Sequence, residues 1–143
     1  SDEQSVLEKG IFLLPAIEPA TGPFQGRVTA WSVAQRSPGE ESVALSFYLA
    51  LMTRTCLDLI GARGPVIVEG PFANNNEYLR MLSALSPEGL LTSVSHTGTS
   101  IGAALLCLTQ HKQAATALNY ACQDEPALQA YGAAWQEAVE SGL

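Results

Sequence analysis

The apolar positions of this chain fall into short runs whose spacing alternates between strand and helix. Gly10 to Ala16 (G-I-F-L-L-P-A) reads as a short buried strand stopped by Pro15. A loop follows from Glu18 to Gly26, punctuated by Pro19, Gly22, Pro23 and Gly26. Arg27 to Val33 fits either an edge strand or an irregular crossing. Ser37-Pro38-Gly39 is a turn, and Glu40 and Glu41 place acids in the first turn of the next helix. That helix, Ser42 to Ile60, carries apolar residues almost all round, including Cys56, Leu57, Leu59 and Ile60. Such a helix is expected to be central and packed on more than one side. Gly61 and Gly64 end it as a C-cap.

Pro65 to Glu69 is a second strand, and Asn75 to Leu85 a helix with Tyr78, Leu79, Met81, Leu82 and Leu85 inward. Glu77 and Arg80 fall on its exposed side as a surface pair worth about a few tenths of a kcal/mol. Leu90 to Val94 is a third strand-length run. Helical spacing resumes from Ser100 to Leu108, and the Ala-rich segments Ala114 to Cys122 and Pro126 to Ala138 are expected as helices. Strands alternating with helices predict an α/β layer with parallel pairings and right-handed crossovers.

The chain has 143 residues, the size of one domain with a real core, and no linker or internal repeat divides it. Its net charge of −7, without a basic stripe, argues against nucleic acid as a partner. No apolar run looks long enough to span a bilayer without interruption, so no membrane role is expected. Ser1-Asp2-Glu3-Gln4 is polar and acidic, unlike a signal or transit peptide, and the absence of an initiating Met suggests a processed or excised chain. Cys56, Cys107 and Cys122 are odd in number, widely spaced and set in apolar context, where a thiol behaves as a small hydrophobe. That pattern speaks against a disulfide framework and for a cytoplasmic location. His96 and His111 lack ligand spacing, and no metal site is assigned.

Two segments carry candidate chemistry. Gly98-Thr99-Ser100-Ile101-Gly102 matches G-x-S-x-G, the nucleophile elbow of serine hydrolases. The partners fail, however. His111 lies eleven residues along the same helix, roughly 16 Å away at 1.5 Å per residue, whereas a base must come within about 3 Å. His96 precedes the Ser and has no Asp to orient it. A helix cap at Thr97, Thr99 or Ser100, with Gly102-Ala103-Ala104 permitting close packing, explains the segment more simply. The second is Val66 to Leu79, V-I-V-E-G-P-F-A-N-N-N-E-Y-L. On the residues alone it is a strand-to-helix loop with Asn74 or Asn75 as N-cap. As a ligand loop, Gly70 would admit a ligand against the backbone, Phe72 would supply an apolar wall, and the Asn74 amide would bond a planar polar ring. It has no lysine and too few glycines for a Walker loop.

Three pieces in order resemble the C-terminal domain of the FGGY family of carbohydrate kinases. G-I-F-L-L-P-A-I-E-P is similar to its early strand-and-proline segment, V-I-V-E-G-P-F-A-N-N-N-E-Y-L to its adenosine motif, and T-G-T-S-I-G-A-A-L-L to its late Gly-Ala-Ala helix. Order and spacing agree roughly from Gly10 to Leu108. The resemblance implies an α/β fold of the ribonuclease H-like (actin/hexokinase-type ATPase) kind, as a C-terminal domain truncated at its N-terminal strands. It implies a parent enzyme that moves the γ-phosphoryl of ATP to a sugar hydroxyl with Mg²⁺ and an aspartate base. By motif position Gly70, as the second glycine of a pair, and Asn74, as the polar loop residue, are implied nucleotide contacts. Glu69 stands where the first glycine of the pair is expected. The sugar site, the catalytic aspartate and the phosphate loops are expected outside this chain, so no catalytic residue is assigned and the fragment alone is expected to be inactive. The competing expectation is a non-catalytic α/β interaction module, a homo-oligomer formed through an exposed sheet edge and an apolar helix.

Overall fold

The computed structural model describes residues 1–93, 103, 106–107, 117–120 and 124–142. The helix expected from Ser100 to Leu108, the G-x-S-x-G segment, both histidines and Cys122 lie outside the described residues, apart from positions 103, 106 and 107.

The chain opens with α1, Asp2–Lys9, a helix the apolar pattern does not announce. Its signals are polar: Ser1 caps the start, Asp2 and Glu3 occupy the first turn, Lys9 the last, and Gly10 closes it at φ +60°. The apolar segment that follows forms β1, Leu13–Leu14, paired antiparallel with β2, Ala30–Trp31. The open choice over Arg27 to Val33 therefore resolves as a short strand.

The long helix α2 spans Pro38–Leu59. Its N-terminus is a capping box in which Ser37 Oγ accepts from the Glu40 N–H and the Glu40 carboxylate accepts from the Ser37 N–H. Glu40 also accepts from Ser5 Oγ at 2.5 Å and pairs with Lys9 Nζ at 2.7 Å, which ties α1 to α2. By length and composition α2 is sufficient to cross a bilayer, but packing accounts for its apolar first half. Ala44, Phe47, Tyr48, Ala50 and Leu51 are buried in the core. The second half departs from the expectation of a central helix. Cys56 is exposed, Leu59 is 70% exposed and Ile60, the residue after the helix, 77%. Cys107 is exposed as well, so neither described thiol fills the core.

Strand β3, Val66–Val68, pairs in parallel with β4, Leu90–Ser93, and β4 pairs antiparallel with β5, Ala117–Tyr120. The sheet is therefore mixed, and β5 corrects the helix expected from Ala114 to Cys122. Alanine favours a helix by intrinsic propensity, but Leu90↔Tyr120 through Ser93↔Ala117 give this segment a ladder that propensity does not register. Helix α3, Asn76–Ala84, and the last helix α4, Pro126–Ser141, match the predicted helices closely.

The core gathers Val6 of α1, Ile11 and Leu13, the first half of α2, the inner face of α3, Leu90, and Leu128, Tyr131, Trp135 and Val139 of α4. Tyr131 OH donates to the Ile11 carbonyl at 2.6 Å and Trp135 Nε1 to the Leu13 carbonyl at 2.8 Å. The polar tips of two core aromatics thus satisfy backbone acceptors that the short β1–β2 ladder leaves open. Burial pushes the Tyr131 hydroxyl strongly up from its ordinary pKa. Gly132 lies between them, where a Cβ would come within 3.0 Å of Leu85 Cδ2, so its bare backbone lets α4 settle against α3. Arg80 does not form the expected pair with Glu77. It bonds Glu3 and Glu125 instead, bridging α3 to α1 and to the start of α4. Those partners are distant in sequence, so helical spacing could not reveal them.

Candidate functional site

The loop between β3 and α3 begins where Val68, buried, gives way to Glu69, exposed and extended at φ −122° and ψ 164°. Gly70 then turns the chain at φ +72°, a conformation L side chains rarely adopt. A Cβ placed on Gly70 would meet none of the described residues within 4 Å, so among them no packed neighbour accounts for the glycine. Gly70–Asn74 form a single 3-10 turn, closed by the Asn75 N–H donating to the Phe72 carbonyl at 3.1 Å.

The three asparagines do three different things. Asn75 is the N-cap of α3: its Oδ1 accepts from the Tyr78 N–H at 2.9 Å, and its Nδ2 donates to Ser46 Oγ on α2 at 3.1 Å. Asn76 Oδ1 accepts from the Tyr120 hydroxyl of β5 at 3.2 Å. Asn74 is exposed and its amide makes no hydrogen bond with the described residues. The choice between Asn74 and Asn75 as cap thus resolves on Asn75 and leaves Asn74 with both donors and its acceptor uncommitted. Phe72 is 46% exposed, and its ring lies 5.0 Å from that of Tyr78. Gly70, Phe72 and Asn74 together present open backbone, an aromatic face and a free amide along one short turn. That set can hold a planar ring bearing hydrogen-bonding edges.

Spacing along the chain did not point to the support beneath this turn. Ser46 and Thr53 sit seven residues apart on α2 and reach Asn75 and Tyr78. Seven residues are two helical turns, which place both hydroxyls on one face. That was the available signal, masked by the apolar residues around them.

An open groove lies elsewhere. It encloses about 540 Å³ between the second half of α2 and α4, lined by Phe24, Leu51, Leu59, Leu85, Trp135 and Val139 among others. No residue of the β3–α3 loop borders it, and its lining is chiefly apolar with an Arg54–Asp58 pair at the edge. Among the described residues no group of three or more His, Cys, Asp or Glu is set to hold a metal ion.

The chain as a whole is similar to known proteins. The family model described as carbohydrate kinase FGGY, C-terminal domain, matches residues 1–117. A carbohydrate kinase from Novosphingobium aromaticivorans, known from its crystal structure, superimposes with a TM-score of 0.83 at 30% sequence identity. The match covers 96% of this chain and 30% of that one, so this chain spans about a third of its solved relative. No curated protein matches at a significant level.

Proposed function

Because this chain belongs to the FGGY carbohydrate kinase family, through that family's C-terminal domain, we propose that it forms the nucleotide-side domain of an ATP-dependent sugar kinase. On this reading the mixed sheet with its helices is one ribonuclease H-like domain of the actin and hexokinase type. The observation that carries the proposal is the pairing of an open Gly70 with an uncommitted Asn74 on the turn after β3. The adenosine part of ATP or ADP would lie against the Gly70 backbone and the Phe72 ring, with the Asn74 amide bonding its polar edge. Glu69 precedes this turn as an exposed carboxylate, and its charge favours placing the nucleotide's phosphates away from Gly70.

Phosphoryl transfer is mostly positioning and electrostatic stabilisation of the moving group. Among the described residues no group of three or more His, Cys, Asp or Glu is set for a metal, and in this proposal Mg²⁺ enters with the nucleotide's phosphates. The sugar, its acceptor hydroxyl and the base that deprotonates it belong in this proposal to other parts of a longer enzyme, and the 143 residues alone are inactive. The described cysteines are free thiols, which suits a reducing, cytoplasmic setting. The test is calorimetric titration of the longer protein with ADP. Binding that weakens about tenfold in Asn74→Ala supports the assignment, in line with loss of hydrogen bonds from a buried ligand edge. A longer protein that takes up no nucleotide sinks it.

A second reading is favoured by the exposed end of α2. Leu59 and Ile60 beside an apolar groove suit self-association of the chain. Sedimentation that finds only monomer at high concentration removes it.

A further inference from the structure

The turn that carries Gly70 and Asn74 is held from one side by two hydroxyls of α2, and the direction of each hydrogen bond can be assigned. Ser46 Oγ donates to the Ser42 carbonyl at 3.0 Å, which commits its single proton. It therefore accepts from Asn75 Nδ2, and this fixes the Asn75 amide with Oδ1 toward the Tyr78 N–H. Thr53 Oγ1 donates to the Leu49 carbonyl at 2.8 Å in the same way, so the Tyr78 hydroxyl, 3.1 Å away, is the donor to it. Each α2 hydroxyl spends its proton on its own helix and turns a lone pair toward the loop.

The two contacts reach the ligand turn by separate routes. Ser46 fixes Asn75, the residue bonded to Asn74 and closing the 3-10 turn through its N–H to the Phe72 carbonyl. Thr53 fixes the Tyr78 ring, which packs against Phe72. We infer that Ser46 and Thr53 are positioning residues for nucleotide binding, setting the Asn74 amide and the Phe72 ring through Asn75 and Tyr78. This rests on the nucleotide reading of the loop. α2 is otherwise a packing helix, and Ser46 lies within its buried stretch. A hydroxyl among apolar neighbours that bonds only its own helix would serve the core no better than alanine.

The experiment measures ADP affinity by calorimetry on the longer protein with four single variants and one double variant, alongside their melting temperatures. Ser46→Ala is expected to weaken ADP binding about three- to tenfold, the effect of a hydrogen bond that orders a contact. Asn75→Ser keeps a capping oxygen for the Tyr78 N–H but is too short to reach Ser46, and it should weaken ADP to a similar extent. Ser46→Thr retains the hydroxyl and should restore affinity. Combined with Asn74→Ala, Ser46→Ala should add little, because it acts through the same amide. If Ser46→Ala and Asn75→Ser lower the melting temperature but leave ADP affinity within about twofold while Asn74→Ala weakens it, the inference is overturned and the nucleotide site stands. If Asn74→Ala itself has no effect, the nucleotide reading falls and this inference with it.

Discussion

The two halves of α2 both carry large apolar side chains, but in opposite surroundings and in different polar company. From Ala44 to Leu51 the helix is pressed between α1, α3, α4 and β1, and Phe47 is wholly buried with its ring 5.2 Å from that of Tyr131. Beyond Thr53, which still meets Tyr78 of α3, the helix is less covered, and Leu59, which lines an open groove, and Ile60 are exposed. Part of the difference is local: Met52–Leu59 carries Thr53, Arg54, Thr55 and Asp58, where Ala44–Leu51 has only Ser46 as a polar residue. The rest lies in what the chain brings against them: α1 reaches the first half through Glu40 and Lys9, and α4 through Tyr131 packed on Phe47. An apolar circumference makes a helix fit for the centre of a domain, and neighbours decide how much of it is central.

That contrast can be broken in order of effect. Phe47→Ala should destabilise the fold by about 3–5 kcal/mol, because it removes a fully buried ring and leaves a cavity at the meeting of α2 and α4. Urea unfolding checks it, and a loss below about 1 kcal/mol would show that the buried half is less tightly packed than described.

Acid should act on the same half. The Lys9 ammonium, then Ser5 Oγ and the Ser37 N–H, hold the Glu40 carboxyl at about 2, below its ordinary 4.5. A pKa depressed in the folded state contributes stability that is complete above about 4.5 and is lost as the pH falls toward 2. Lys9 is more than half exposed, and solvent screening keeps the effect modest. Melting temperature followed over that interval should fall in the wild type and change less in Glu40→Gln. Equal slopes would locate the acid sensitivity elsewhere.

The smallest effect belongs to the exposed half. Leu59→Ser should change stability by no more than about 0.5 kcal/mol, as surface substitutions do. A loss several times larger would mean that something covers this end of α2 in solution, and sedimentation of the same variant would show whether that cover is another copy.

Much of the fold could be read from the chain, and the reasons are local. Gly61 at φ +66° ends α2, Asn75 starts α3 and Pro126 opens α4, each with the chemistry its position demands. The segments that escaped prediction depend on distant partners. Helix α1 is too polar for apolar periodicity to register and is tied to α2 through Glu40. β5 is a strand because β4 pairs with it, and Arg80 selects Glu3 and Glu125 across the fold over Glu77 three residues before it. At the candidate site Gly70 and Asn74 could be named from the motif. The division of labour among Asn74, Asn75 and Asn76 could not, because three adjacent amides look alike until Ser46 and Tyr120 engage two of them.

By itself the sequence determined the alternation of strands and helices, the turn after β3 and the family to which that turn belongs. Backbone preference, capping chemistry and motif order all act within a few neighbouring residues or along the chain. The tertiary structure alone decided which asparagine remains free and which hydroxyls of α2 meet the loop. Those outcomes depend on groups 25 to 122 residues apart meeting at hydrogen-bonding distance, as Thr53 and Tyr78 or Trp135 and Leu13 do, and one-dimensional spacing carries no record of such meetings.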